Sequence, residues 1–260
     1  MQSVTILPGR DKTGKPEPFQ GITLERGELC TIVGNTGSGK SRFIKDVEQL
    51  AHGDSVTRRR VLLDGVEIPA ERRQPLSSQL VAHLGQNMRF VLDASVEEFL
   101  ALHAQCRGKE TPPVEVLALA NEITPEPVAL GQGLNQLSGG QSRALMIADT
   151  AMLSTSPVVL IDEIENAGVD RKKALELLVQ EGKIVLMSTH DPLLALMGAK
   201  RLVIENGGVK TVIRTSERER ENLAALERID RKMQRLRNQI RLGGAIEYSV
   251  AGYFAEGEER

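Results

Sequence analysis

Two kinds of hydrophobic pattern alternate along this chain: short unbroken apolar runs, and stretches in which apolar residues recur every third or fourth position. Glu28 to Val33 (ELCTIV) is a run of the first kind; it leads into GNTGSGKS, and the pattern turns helical over Arg42 to Leu50. VVLIDE after Pro157 and KIVLMS at Lys183 to Ser188 repeat the unbroken form, which suits strands covered on both faces of a parallel sheet. Arg171 to Glu181 supplies a crossover helix between them, and a short helix follows Pro192. Two hairpins are predicted, one turning at Asp64-Gly65 within VLLDGVEI, the other at Asn206-Gly207-Gly208 within RLVIENGGVKTVI. Helical spacing over Val96 to Cys106 and Val114 to Glu122, separated by Thr111-Pro112-Pro113, makes the region from about 90 to 155 mainly helical. Beyond Thr215 the composition changes. Residues 217–241 are mostly charged, with Leu226, Ile229, Met233, Leu236 and Ile240 aligned along one helical face, and 243–260 form a Gly-containing acidic tail. The expected organisation is an α/β domain over 1–215 and a helical extension with tail over 216–260.

Composition narrows the class. With 260 residues, 33 Lys and Arg against 35 Asp and Glu, a formal charge of −2 and 40% hydrophobic residues, the chain suits a globular protein with no general basic field for nucleic acid. Apolar runs such as Val158 to Ile161 and Leu193 to Met197 fall far short of the roughly 18 residues needed to cross a bilayer. Met1 to Pro18 lacks the pattern of a secretion signal, so a cytoplasmic location is expected, or a peripheral one on the inner membrane face through a partner. Cys30 and Cys106 are far apart and outside metal-ligand spacing; both are expected to be buried apolar residues. None of the four histidines forms a metal-binding pair.

The chemistry-bearing segments begin with Gly34-Asn35-Thr36-Gly37-Ser38-Gly39-Lys40-Ser41, which satisfies G-x-x-x-x-G-K-[ST]. Glycines let backbone N–H groups turn inward around phosphates, Lys40 would neutralise the terminal phosphates, Ser41 would ligate Mg²⁺, and the following helix would direct its positive end at the anion. Val158 to Ile161 deliver Asp162 and Glu163 to the end of a strand; Asp162 suits the metal, and Glu163 suits a base that polarises the attacking water. Ser138, Gly139, Gly140 and Gln141, in LSGGQ, precede a helical stretch from Ser142 to Leu153 and so form a second anion site at a helix N-terminus.

In this order over roughly residues 20 to 210, these segments closely resemble the nucleotide-binding subunits of ATP-binding cassette (ABC) proteins. The resemblance implies a P-loop NTPase fold of ABC type: a central mostly parallel sheet with flanking helices, a small antiparallel β part and a helical subdomain, here with an added C-terminal helix. It makes GNTGSGKS the Walker A loop, LSGGQ the signature and VVLIDE Walker B. It assigns Gln86, in HLGQN, to the Q-loop that touches Mg²⁺ and the lytic water, His190, in STHD, to the switch that contacts the γ-phosphate, and Asp170, in AGVD, to the D-loop at a dimer interface. It further implies a homodimer, or a heterodimer with another ABC subunit, packed head to tail so that Ser138, Gly139 and Gly140 of one protomer close over ATP held by Lys40 of the other. Two residues depart from the family pattern. No aromatic occupies the usual adenine-stacking position before the loop, where the chain reads ILPGRDKTGK and Phe19 suits the core instead; ATP and GTP should therefore be weakly discriminated. Ile164 stands where transporter subunits usually carry proline.

An ATP hydrolase that gives conformational work to a partner is the expected function, with ATP and Mg²⁺ as cofactors. The partner is either a separate membrane subunit docked near the Q-loop, where Met88, Phe90, Val91 and Leu92 offer an apolar notch, or a soluble client such as a protein, metallocentre or nucleic-acid complex.

Overall fold

The computed structural model describes residues 1–85, 88–162 and 168–255, which fall into two compact units, Met1–Arg214 and Thr215–Arg260. The first carries two sheets. Strands β1 (Ser3–Leu7), β2 (Ile22–Glu25), β4 (Arg60–Leu63) and β5 (Val66–Glu67) make an antiparallel sheet in the order β2-β1-β4-β5. Strands β3 (Leu29–Val33), β6 (Val81–Leu84), β7 (Val158–Asp162), β8 (Ile184–Ser188), β9 (Lys200–Glu205) and β10 (Gly208–Arg214) make the larger sheet, ordered β10-β9-β3-β8-β7-β6; only the β9–β10 pair in it is antiparallel. The unbroken apolar runs occupy its middle: every residue of β8, and Val158 to Ile161 of β7, is buried. Asp64 and Asn206 take positive φ at the hairpin tips, each followed by a positive-φ glycine, as tight antiparallel turns require.

Helix α1 (Lys40–Glu48) lies after β3 and buries Phe43, Ile44 and Val47. It starts two residues before the periodicity suggests, because Gly39, at φ 112°, is its N-cap. Helices α3 (Val96–Cys106), α4 (Pro113–Ile123) and α5 (Gly139–Met152) form the helical part, with α5 buried continuously from Ser142 to Ala151. Cys106 is exposed at the last position of α3, contrary to expectation, whereas Cys30 is buried in β3. Helices α6 (Arg171–Gln180) and α7 (Pro192–Met197) follow β7 and β8. Among the elements missing from the sequence reading are β1, β6 and α2 (Ala70–Leu80). The last is charged, contains Pro75 and buries no residue, so it has no apolar stripe to reveal it.

In the second unit, α8 (Glu217–Arg241) opens on a reciprocal capping box between Ser216 and Glu219. The segment expected to be only a tail turns back on α8 and forms α9 (Val250–Ala255); Tyr248 donates to Gln239, and Lys232 donates to the Tyr253 carbonyl. Of the apolar stripe, Leu236 is buried, while Ile229, Met233 and Ile240 are exposed.

Candidate nucleotide site

Parallel pairing brings the ends of β3, β8 and β7 to one edge of the sheet, where Ile32 pairs with Ser188 and Ser188 with Asp162. The loop 34–39 therefore emerges beside Asp162 and the Thr189-His190 segment. Gly34, Gly37 and Gly39 take φ of 154°, 77° and 112°. At Gly39 a Cβ would lie 2.7 Å from Gly207 Cα, and at Gly34 2.4 Å from the Ile204 carbonyl oxygen, so side chains are excluded by contact as well as by conformation.

Lys40 is buried, and its ammonium group is fully directed: Nζ donates to the Gly34 carbonyl at 2.9 Å and the Asn35 carbonyl at 3.5 Å, and lies 2.9 Å from His190 Nε2, to which it donates. Two groups 150 residues apart, expected to meet the same phosphates, are thus in direct contact. Asp162 accepts a hydrogen bond from Ser188 on the adjoining strand. The hydroxyl oxygen of Ser38 is buried without a partner in the loop. Two open clefts border the loop. One of about 420 Å³ is bounded by Gly34, Asn35, His190 and Arg201, the other of about 380 Å³ by Lys12, Gly34 to Ser38, Asn206 and Lys210.

Ser138 caps α5: its hydroxyl accepts from Gln141 N–H at 3.2 Å, while the Gln141 side chain accepts from Ser138 N–H at 2.9 Å. Ser138, Gly139, Gly140 and Gln141 line neither cleft. Asp170 caps α6 through Lys173 N–H at 3.1 Å, and a Cβ on nearby Gly168 would come within 3.4 Å of Gly140 Cα. Gln86, Glu163 and Ile164 lie outside the described residues. Arg143 of α5 donates to the carbonyl of Gly85, immediately before Gln86, at 2.7 Å.

The sequence reading missed the residues that brace the loop from outside. Lys12 donates to the Gly37 carbonyl at 3.0 Å, and Gly207 N–H donates to the Ser38 carbonyl at 2.6 Å. Arg59, fully buried, donates to the Gly207 carbonyl at 2.9 Å while pairing with Glu17 and Asp46. Asp11, next to Lys12, accepts from the Thr13 hydroxyl at 2.7 Å and from the Thr13 and Lys15 amides; the hydroxyl contact above all holds its carboxyl below the ordinary range. No spacing rule links positions 12, 59 and 207. Phe19 is half-buried and packed against the core, and among the described residues no Phe, Tyr or Trp bounds either cleft.

A family model described as ABC transporter matches residues 21–166. A protein of Methanocaldococcus jannaschii described as an uncharacterized ABC transporter ATP-binding protein is 47% identical over 259 residues, covering 99% of each chain. The lipoprotein-releasing system ATP-binding protein LolD of Shewanella frigidimarina is 29% identical over 208 residues, 75% of this chain and 84% of its own. The macrolide export ATP-binding/permease protein MacB of Bradyrhizobium diazoefficiens is 30% identical over 203 residues, which span only 30% of that longer protein. Among solved structures, the ATP-binding subunit of an ABC transporter superposes with a TM-score of 0.63 at 19% identity, over 85% of this chain and 93% of that one. A dimeric ATP-binding cassette in a post-hydrolysis state with ADP and Pi superposes at 0.58 with 21% identity, over 82% and 99%. These likenesses carry the fold.

Proposed function

The chain belongs to the ABC transporter family, and from that premise we propose that it is the ATP-binding subunit of a transporter, binding Mg-ATP between two head-to-tail protomers and hydrolysing it to drive a separate membrane subunit. The observation that carries this reading is the Lys40–His190 contact beside a glycine loop at the strand ends: one point receives a fixed ammonium, an imidazole and the positive end of α1. Lys40 neutralises the terminal phosphates, the glycines supply inward N–H groups, and His190 contacts the γ-phosphate. Glu163 polarises the attacking water. Ser138, Gly139, Gly140, Gln141 and Asp170 of the second protomer complete the site.

Ser41, Asp162 and Gln86 are the residues that would hold Mg²⁺. Among the described residues no cluster of three or more His, Cys, Asp or Glu could hold a metal alone, which suits an ion that takes most of its oxygens from phosphates and water. When bound, the ion neutralises charge on the phosphate oxygens.

Among the described residues no helix is long and apolar enough to cross a membrane. Met88, Val91 and Leu92 are 45%, 97% and 46% exposed, while Phe90 packs edge-on against Phe99. Three apolar side chains presented beside the Q-loop favour docking there over burial in the helical part.

Nucleotide binding, Mg²⁺-dependent turnover and sedimentation test the reading. Lys40→Ala should weaken ATP binding at least about tenfold. Glu163→Gln should retain binding, nearly abolish turnover and accumulate an ATP-bound dimer. Wild-type binding in the first variant or wild-type turnover in the second removes that residue from its role. Purification from native membranes should bring down an integral membrane protein; recovery with soluble proteins alone overturns the transport part.

A further inference from the structure

The segment Ile123 to Pro127, running from the end of α4 toward the signature's helix, is tied through three of its residues to both elements that the proposed dimer turns toward the partner's nucleotide. The Ile123 carbonyl accepts from Asp170 N–H at 2.7 Å, the Pro127 carbonyl accepts from Gln141 Nε2 at 3.0 Å, and the Glu126 carboxylate accepts from the Ser138 hydroxyl at 2.7 Å. The last bond matters most. A serine hydroxyl has one proton, and here that proton is committed to Glu126, while the oxygen accepts the capping bond from Gln141 N–H. Among the described residues no cationic side chain pairs with Glu126, so an exposed carboxylate sits 2.7 Å from the hydroxyl of an anion-binding helix N-terminus and occupies the positive end that a second anion would need. A carboxylate at that point satisfies the serine and opposes any second anion.

We propose that Glu126 is an electrostatic gate on dimer closure: it holds the Ser138 proton in the free chain, and the terminal phosphate of ATP bound to the other protomer must displace it. This rests on the reading of the protein as an ATP-dependent head-to-tail dimer. Glu126 is a positioning residue, acting through Ser138 and through its charge. It sets how much ATP is needed to close the dimer and favours reopening once the γ-phosphate has gone. The Asp170–Ile123 and Gln141–Pro127 bonds keep the segment registered on the D-loop and the signature together, so release of Glu126 is felt by both.

The test is sedimentation velocity of the full chain, titrated in the presence of Mg²⁺ with ATP in a non-hydrolysable form so that turnover does not compete, with binding of that nucleotide and of ADP to the monomer measured separately. Glu126→Gln keeps the shape and an acceptor but removes the charge; Glu126→Ala removes both. Both should dimerise at about tenfold lower ATP than the wild type, with monomer binding of ADP unchanged. The advantage of the Gln variant should shrink between about 50 mM and about 500 mM salt, a dependence that loss of packing would not produce. Dimerisation of Glu126→Gln at the wild-type ATP concentration or higher, with monomer binding intact, overturns the gate. Failure of the wild type to bind ATP at all would overturn the nucleotide reading, and the gate with it.

Discussion

Arg59 is the residue whose loss should be felt farthest from its own position. Its guanidinium is fully buried and reaches three elements: Nε lies 3.1 and 3.2 Å from the Glu17 carboxylate oxygens, Nη1 is 2.8 Å from Asp46 on α1, and Nη2 is 2.9 Å from the Gly207 carbonyl at the β9–β10 turn. The Phe43 ring lies 5.0 Å beneath it. Glu17 retains other donors, the amides of Gly9 and Val209, each at 2.6 Å, and Asp46 retains the Thr57 hydroxyl at 2.7 Å, but no other cation enters the cluster among the described residues. Arg59→Ala would therefore leave two buried carboxylates and a carbonyl facing a cavity, a loss of about 3–5 kcal/mol, against a typical domain stability of about 5–15 kcal/mol. Arg59→Lys keeps the charge, yet a single ammonium cannot replace a fork that spans Glu17, Asp46 and Gly207; it should recover part of the loss. Urea unfolding gives the stability, and nucleotide binding at a temperature where both variants are folded gives the second readout. Because Gly207 N–H holds the Ser38 carbonyl, binding should weaken along with stability. A loss of less than about 1 kcal/mol in Arg59→Ala would refute the assignment of the cluster as an unreplaceable buried ion network.

Other perturbations bear on separate parts of the chain. Burial lowers the Lys183 ammonium to about 8, so between about pH 8 and the unfolded value of about 10.4 the unfolded chain holds a proton that the folded one has released; stability relative to Lys183→Met should rise with pH there, by at most about 1.4 kcal/mol per unit, and a flat difference would remove the effect. Burial pushes the Cys30 thiol up to about 12, whereas Cys106 is exposed; maleimide should label one thiol in the native protein and two in denaturant, and two fast native thiols would contradict the buried position of Cys30. With Phe19 held against the core and, among the described residues, no Phe, Tyr or Trp at either cleft, ATP and GTP should compete within about tenfold of each other, and a strong ATP preference that persists after removal of residues 215–260 would overturn that expectation.

What could be read from the chain was whatever depends on neighbours in sequence. The strands β3, β7 and β8 declare themselves because a strand buried on both faces must be apolar at every position. The phosphate loop and the signature do so because a glycine turn before a helix, and a serine capping one, are defined within a few residues. The short hairpin turns were visible for the same reason. Folding alone decided what meets across long intervals. Lys40 touches His190, Lys12 and Gly207 brace the phosphate loop, Arg59 joins Glu17 to Asp46, and Glu126 accepts a hydrogen bond from the Ser138 hydroxyl. Each of these is a pairing of charges or polar groups whose separation along the chain carries no period, so no local pattern encodes it; the order of strands in the sheet and the path of its connections bring the partners together. Helix α2 escaped for the opposite reason, because a helix that buries nothing leaves no periodic trace in its sequence.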